Sequence, residues 1–207
     1  MNKIKKNGAF VLRIEDTDDS RRVDGAEKYI YDVLDYYKIK VDEGPREGGD
    51  YGPYRQSERK EIYNKYITFL VDKGLAYYCY DSKEELLKAR EKKSFSYNAS
   101  TRHMFKNSLS LKKEESLSLM KKNKYVVRLL VKPNVELSVV DLLRGDIKVN
   151  SNNLDDKILM KEDGLPTYHF ANVVDDYLMK ITTIIRGEEW LPSLPIHKVI
   201  YDAFGWK

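Results

Sequence analysis

Short apolar runs alternate with amphipathic helices at both ends of the chain, and this alternation limits the possible folds most strongly. Residues 8–14 (GAFVLRI) are predicted to form a buried strand, and residues 24–37 a helix. Residues 155–187 are predicted to form a strand, a tight turn, a short helix and a second strand, before a closing helix over 188–206. Strands that alternate with helices favour an α/β sheet with parallel strands.

The middle of the chain differs in character. A helix is predicted over 57–73, ending at Gly74, because glycine tolerates the left-handed conformation that follows many helices. From residue 81 onwards the sequence is polar and rich in serine and lysine, beginning with a charged helix. Further strands are predicted at 75–80, 124–131 and 136–150.

This change in character predicts the domain organisation. We expect a mixed α+β domain at residues 77–164, inserted between a first core part at 1–76 and a second core part at 165–207.

The composition excludes several classes of protein. No stretch approaches the roughly 20 consecutive apolar residues of a membrane helix, and no apolar run follows the basic N-terminus to make it a secretory signal. The single cysteine, Cys79, excludes an internal disulfide, fits a reducing compartment and leaves no cysteine cluster for structural zinc. The net charge of +4 permits a polyanionic partner without requiring one.

A cluster of acids follows the first predicted strand. Glu15 comes directly after Ile14, where the carboxyl end of a parallel strand would meet a ligand crevice, and its carboxylate suits an ammonium group. Asp18 and Asp19 are better explained as caps of the next helix, within a predicted N-cap region at 18–20.

Three polar residues are spaced four apart in the helix after residue 166. Tyr168, Asn172 and Asp176 would share one helix face, and each would need a hydrogen-bond partner if buried. The alternative is a solvated helix face. His169 by itself is better explained as a packing residue.

The segment after the last predicted strand combines a cation, a glycine, two acids and a tryptophan. Arg186 could grip a carboxylate in bidentate fashion, and Gly187 would let the backbone approach a ligand closely. Trp190 could pack on an adenine or seal the core. The alternative is an ion pair of Arg186 with Glu188 or Glu189. Taken together, a cation that clamps an anion, a carboxylate that accepts an ammonium group and two neutral hydrogen-bonding side chains suit a zwitterionic amino acid with an acidic side chain.

Four stretches carry a resemblance to a known family. They are FVLRIEDTD at 10–18, GGDYGPYRQSER at 48–59, DGLPTYHFANVVDD at 163–176 and IIRGEEW at 184–190, the last followed by PIH and AFGW. In this order they resemble the catalytic region of bacterial-type glutamyl-tRNA synthetases. The resemblance implies a class I synthetase Rossmann-like parallel sheet with an inserted α+β domain that binds the tRNA acceptor stem. It also implies a monomeric cytoplasmic ligase that uses L-glutamate, ATP and Mg²⁺ to charge tRNA(Glu), without membrane contact.

The resemblance also implies roles for individual residues. The residues expected to bind L-glutamate are Glu15, Tyr168, Asn172 and Arg186. Glu189 and Trp190 are expected to contact ATP or the terminal adenosine. Asp18, Arg21 and Arg55 are expected to face the tRNA acceptor end.

Several family elements are absent from these 207 residues. The ATP-binding HIGH signature with the first strand of the sheet, the KMSKS loop and the anticodon-binding region do not occur, so we expect an incomplete sheet, no complete catalytic set and little aminoacylation by this chain alone. Cys79 lacks the second cysteine of the zinc-binding relatives, so we expect no zinc.

Two other interpretations remain open. The chain could be a non-catalytic tRNA-binding fragment or paralogue, in which the lysines of the middle segment contact phosphates. It could also be a glutaminyl-tRNA or tRNA-modifying glutamyl relative, although the RGEEW turn argues against both by resemblance.

Overall fold

The structure is a computed structural model, and it describes residues 8–18, 23–91, 95–122 and 124–206. Its α-helices are α1 (Ala26–Tyr36), α2 (Lys60–Asp72), α3 (Lys83–Arg90), α4 (Lys113–Lys122), α5 (Tyr168–Leu178) and α6 (Leu194–Phe204). Its strands are β1 (Ala76–Cys79), β2 (Val126–Leu129), β3 (Glu136–Asp141), β4 (Gly145–Asn150) and β5 (Ile158–Met160). The chain forms two compact units, Met1–Ile62 and Tyr63–Lys207.

In the first unit, the segment predicted as a buried strand is extended but makes only isolated bridges. Val11 bridges Glu43 and Ile14 bridges Arg55, both in parallel orientation, and the Ile14 amide donates to the Tyr54 carbonyl at 2.9 Å. Residues 11–14 are half-buried and 8–10 are exposed. The prediction of a regular buried strand is therefore wrong, because a strand needs consecutive pairing and cover on both faces, and only a loop pairs with this segment.

Helix α1 confirms the predicted helix but not its predicted cap. Its N-cap is Gly25, with a φ of 79° and no side-chain hydrogen bond, so the expected capping by residues 18–20 is wrong. Of that segment, the part after Asp18 lies outside the described residues. A left-handed glycine turns the chain into the helix here, a task that a β-branched or bulky residue would perform only with strain.

The predicted helix at 57–73 appears as a 3₁₀ turn, Gln56–Arg59, that continues into α2. Gly74 follows with a φ of 66°, which confirms the predicted glycine at the helix end.

The second unit contains an antiparallel sheet in the order β1–β2–β5 and a separate β3–β4 hairpin. Tyr77, Cys79 and Tyr97 form a buried cluster on the sheet. Helix α3 packs Leu86 against this cluster, and its capping box joins Ser82 and Glu85 in both directions. The strands predicted at 75–80, 124–131 and 136–150 are confirmed, although each is shorter in the structure.

The segment 181–187, predicted as a strand, is not one in the structure. It carries no β-bridge among the described residues, and Ile185 is 86% exposed. Its apolar, β-branched composition favours a strand locally, but strand formation depends on a hydrogen-bonded neighbour. A 3₁₀ turn, Glu188–Ser193, then leads into α6. Within the described ranges, no helix combines the length and apolar character needed to cross a membrane.

Candidate functional site

The start of α5 is fixed to the neighbouring strand by a single threonine. The Thr167 amide donates to the Leu159 carbonyl at 2.8 Å, and its hydroxyl donates to the Ile158 carbonyl at 2.6 Å. Thr167 is extended, so the helix begins at the next residue. Tyr168 is thereby held at a defined place beside β5.

The ring of Tyr168 packs among side chains of the second unit. Its centroid lies 4.5 Å from that of Trp190 and 5.7 Å from that of His197, and the Arg186 guanidinium carbon lies 5.2 Å above it. The Tyr168 hydroxyl is buried and has no hydrogen-bond partner among the described residues. A buried hydroxyl without a partner is costly, so this group is well suited to meet a polar ligand atom.

Arg186 is held by an acid of α5. Its terminal nitrogen lies 3.8 Å from Asp176 Oδ2, and the arginine side chain is 25% exposed whereas Asp176 is buried. Glu188, which the sequence offered as an alternative partner of Arg186, pairs with Arg144 instead, at 2.9 Å. Arg186 thus presents a partly exposed guanidinium beside the Tyr168 ring.

The polar face of α5 is buried. Asn172 and Asp175 are fully buried and Asp176 nearly so, and Tyr63 donates to Asp175 Oδ2 at 2.7 Å. The alternative of a solvated helix face is therefore wrong. Buried polar side chains on a helix are retained where they bond to one another or to a ligand.

Gly187 and Glu189 contact each other closely. A Cβ added at Gly187 would overlap the Glu189 carboxylate, so the side chain of Glu189 folds back over the turn. Trp190, the next residue, is 39% exposed and leaves part of its indole available to a ligand.

Two histidines adjoin this cluster. His169 Nδ1 lies 3.2 Å from His197 Nε2, which joins α5 to α6. Burial lowers the pKa of His169 to about 4 and that of His197 to about 3. His169 is half-buried between helices, as expected for a packing residue. The contact of His197 with His169 was not predicted from the sequence, although His197 lies in the PIH stretch after IIRGEEW.

Glu15 belongs to the first unit. Its side chain is exposed and contacts Arg13, with 3.5 Å between Arg13 Nη2 and Glu15 Oε1. The structure therefore brings Tyr168, Arg186 and Trp190 together in the second unit and places Glu15 at the end of the extended segment of the first.

Asp16 has a role that the sequence analysis did not predict. Its two carboxylate oxygens accept from the amide and the hydroxyl of Ser57, at 2.8 and 2.6 Å, at the start of the 3₁₀ turn before α2. An acid there satisfies free helix donors and favours the positive end of the helix. No local sequence signal could have revealed this contact, because 41 residues separate the partners.

The residues expected at the tRNA acceptor end differ in their surroundings. Asp18 is exposed, and Arg21 lies outside the described residues. Arg55 is held by Glu27 through two hydrogen bonds of 2.7 and 2.9 Å, and by Glu58 at 3.1 Å. Hydrogen bonding from Arg55 lowers the pKa of Glu27, which keeps this carboxylate ionised.

Cys79 has the environment of a structural thiol. Its sulfur is buried, 3.4 Å from the Tyr97 hydroxyl, and burial raises its pKa to about 12. A thiol with so high a pKa is a poor metal ligand. Among the residues that the structure describes, no three His, Cys, Asp or Glu side chains are grouped to hold a metal ion.

Comparison with known proteins identifies close relatives. The family model described as tRNA synthetases class I (E and Q), catalytic domain, matches residues 3–207. The glutamate–tRNA ligase of Parabacteroides distasonis is 53% identical over 207 residues, covering 98% of this chain and 41% of the relative. That of Bacteroides fragilis is 53% identical over 203 residues, covering 97% and 40%.

Solved structures agree. A glutamate tRNA ligase from Elizabethkingia meningosepticum, in complex with its amino acid, superposes with a TM-score of 0.94 at 47% identity, covering 97% of this chain and 41% of that chain. The chain thus spans about two fifths of the length of the relatives it matches. The predicted fold class and the resemblance to glutamyl-tRNA synthetases are confirmed.

Proposed function

The chain belongs to the catalytic-domain family of class I tRNA synthetases for glutamate and glutamine, and we propose that it carries the glutamate-binding part of a glutamate–tRNA ligase. The intact enzyme would activate L-glutamate with ATP and transfer it to the 3′ end of tRNA(Glu). The likeness to glutamate–tRNA ligases over almost the whole chain supports this assignment.

One observation carries the proposal. Arg186 is partly exposed beside the Tyr168 ring, and the buried Tyr168 hydroxyl has no hydrogen-bond partner in the described part of the chain. A guanidinium can hold a carboxylate through two parallel hydrogen bonds, and a phenol can donate a third. This combination favours a substrate carboxylate over a neutral amide.

The remaining glutamate contacts follow from the family resemblance. Asn172 would orient the amino acid from the buried face of α5, and the exposed carboxylate of Glu15 would accept the substrate ammonium. Such positioning, rather than covalent catalysis, would supply the contribution of this chain to the reaction.

Glu189 and Trp190 would contact ATP or the terminal adenosine. The part-exposed indole of Trp190 gives a base a surface on which to stack. Mg²⁺ would arrive with the ATP phosphates. The described residues offer no group of three ligands for it, so we assign no step to the ion. We expect no zinc.

The tRNA acceptor end would meet Asp18, Arg21 and Arg55. We propose that residues 77–164 form the inserted acceptor-stem-binding domain, between core parts at 1–76 and 165–207. The exposed lysines of α4 would contact phosphates there without reading sequence. We further propose a monomeric enzyme of the cytoplasm.

Calorimetric titration of the 207-residue chain with L-glutamate tests the proposal. We expect binding that Arg186→Ala weakens by about 30-fold or more, because the substrate carboxylate loses its charged hydrogen-bond partner. Arg144→Ala is the matched control, since Arg144 is an exposed arginine paired with Glu188 and should leave the affinity unchanged.

Equal affinities for the wild type and Arg186→Ala would contradict the pocket assignment. Salt-dependent tRNA binding without any glutamate binding would instead favour a non-catalytic tRNA-binding role. We also expect little ATP–pyrophosphate exchange by this chain alone, and a robust exchange signal would overturn that expectation.

A further inference from the structure

We propose that His169 and His197 act as a positioning pair, which holds the Tyr168 ring and, through it, the Trp190 indole in place for substrate. Neither histidine touches the substrate in this role. The inference rests on the proposed function, in that Tyr168 and Trp190 are taken as substrate contacts.

The pair bridges the two helices of the site by one hydrogen bond. His169 is the second residue of α5 and His197 lies in the first turn of α6, with 3.2 Å between Nδ1 of the first and Nε2 of the second. A neutral imidazole has one donor and one acceptor nitrogen, so one ring must donate while the other accepts. This requirement gives each ring a defined tautomer and orientation.

The two imidazoles pack directly on Tyr168. The ring centroids lie 5.4 Å from His169 and 5.7 Å from His197, and Trp190 packs on the same tyrosine at 4.5 Å. Since the Tyr168 hydroxyl has no hydrogen-bond partner among the described residues, packing rather than hydrogen bonding decides where it points. The histidine pair therefore controls the direction of a proposed substrate donor.

The electrostatic surroundings keep the pair uncharged. Burial is the main cause of the lowered pKa of both rings. Lys157 lowers the pKa of His169 further, and His169 and Arg186 lower that of His197 further. If both rings were protonated, both facing nitrogens would carry protons and the hydrogen bond would be lost. Neutral rings also avoid repelling the Arg186 guanidinium.

Two variants test whether the hydrogen bond between His169 and His197 positions Tyr168. In His169→Asn/His197→Gln, two amides keep a donor and an acceptor between the helices but lose the ring contacts, so we expect a loss of L-glutamate affinity of about threefold, smaller than in His197→Ala. In His197→Ala the hydrogen bond and the ring contact are lost, and we expect about tenfold weaker binding. His103→Asn is the matched control, because His103 is exposed and belongs to the inserted segment.

An NMR measurement on the whole chain does not depend on glutamate binding. We expect the ring nitrogens of His169 and His197 to show single neutral tautomers at pH 6. We also expect the nuclear Overhauser contacts between the Tyr168 ring and the Trp190 indole to weaken in His197→Ala but to persist in the double amide variant. Trp190→Phe assigns the indole signal.

The possible results discriminate clearly. Protonated rings at pH 6, or unchanged contacts between Tyr168 and Trp190 in His197→Ala, would overturn the positioning pair whether or not glutamate binds. If the wild type fails to bind glutamate while these contacts change as expected, the proposed function fails and the pair stands. If His197→Ala does not fold, the double amide variant decides, since a loss of the Tyr168–Trp190 contacts or an affinity loss of about tenfold there would overturn the inference.

Discussion

Two regions of the second unit combine arginine, tyrosine and a buried aspartate, yet they differ in how completely their polar atoms are paired. In the region of the β1–β2–β5 sheet, both carboxylate oxygens of Asp156 accept hydrogen bonds. Tyr77 donates to Oδ2 at 2.6 Å, while Arg102 and the Val131 amide donate to Oδ1 at 3.2 and 3.1 Å. In the Tyr168 cluster, the phenol has no such partner among the described residues.

The arginines of the two regions differ in their surroundings. Arg128 donates to the Asp156 carbonyl at 2.9 Å and stacks over the Tyr97 ring at 4.0 Å. In the described part of the chain, the Nε groups of Arg102 and Arg128 make no hydrogen bond, although Arg102 Nε lies 3.0 Å from Asp156 Oδ2 as an ion-pair contact. Arg186 instead lies 3.8 Å from its acid and is a quarter exposed.

The comparison teaches how similar side chains can serve two purposes. A closed network around a buried charge holds a domain together, because removing any member leaves the others unpaired. A cluster that keeps a buried donor and a partly exposed cation is prepared for a ligand instead. We refer to these as the closed network (Tyr77, Tyr97, Arg102, Arg128 and Asp156) and the open cluster (Tyr168, Arg186 and Trp190).

The largest expected effect comes from opening the closed network. Asp156→Ala leaves Arg102 without its acid, and Tyr77 and the Val131 amide without their acceptor, so we expect a loss of about 3–5 kcal/mol in the free energy of unfolding. Urea denaturation followed by circular dichroism measures it. Asp146→Ala, at an exposed aspartate of β4, is the control. A loss below about 1 kcal/mol would show that Asp156 does not hold the domain together.

Acid should destabilise the protein through His169 and His197, which pack beside the open cluster. The pKa values of about 4 and about 3 in the folded state lie below the ordinary value of 6.5, so the unfolded state binds more protons as the pH falls. Stability is therefore complete above about pH 6.5. Each histidine lowers it by up to about 1.4 kcal/mol per pH unit as the pH falls below 6.5 towards the folded-state pKa.

The double amide variant isolates this contribution. We expect His169→Asn/His197→Gln to lose less stability than the wild type between pH 7 and pH 5 in urea denaturation. Identical pH dependence of the two proteins would mean that the histidine pair is not buried in its neutral form.

A matched pair of hydroxyl deletions compares the two regions directly. Tyr77→Phe removes a donor from a buried carboxylate, so we expect a cost of about 1–3 kcal/mol. Tyr168→Phe removes a buried hydroxyl without a partner among the described residues, so we expect almost no cost, together with weaker glutamate binding. Thermal unfolding and calorimetry measure both. Equal losses of stability in Tyr77→Phe and Tyr168→Phe would contradict the distinction between the closed network and the open cluster.

The smallest expected effect concerns the access of a reagent to the Cys79 thiol rather than stability. Cys79 lies beside Tyr97 of the closed network, and its pKa of about 12 leaves almost no thiolate at pH 8. We expect iodoacetamide to leave the native chain unmodified at pH 8 and to label it in urea, as read by mass spectrometry. Rapid labelling of the native chain would show that the network opens readily.

The sequence identified much of the open cluster but not its supports. Tyr168, Arg186 and Trp190 lie in motifs whose residue types suit a carboxylate and a base, and the structure brings these three together. Their predicted roles as ligands of glutamate and adenosine remain proposals. His197 and Asp16 escaped prediction because their partners lie 28 and 41 residues away, and local spacing carries no information about such contacts.

The sequence by itself determined the family, the helices and the glycine that ends α2, because these depend on local patterns and near neighbours in the chain. Only the tertiary structure decided which polar residues belong to the closed network and which to the open cluster. Residues 8–14 and 181–187 show the same limit, since their composition favours strands and their pairing does not follow it. Pairing and desolvation are properties of the surroundings, and those surroundings are assembled from residues distant in sequence.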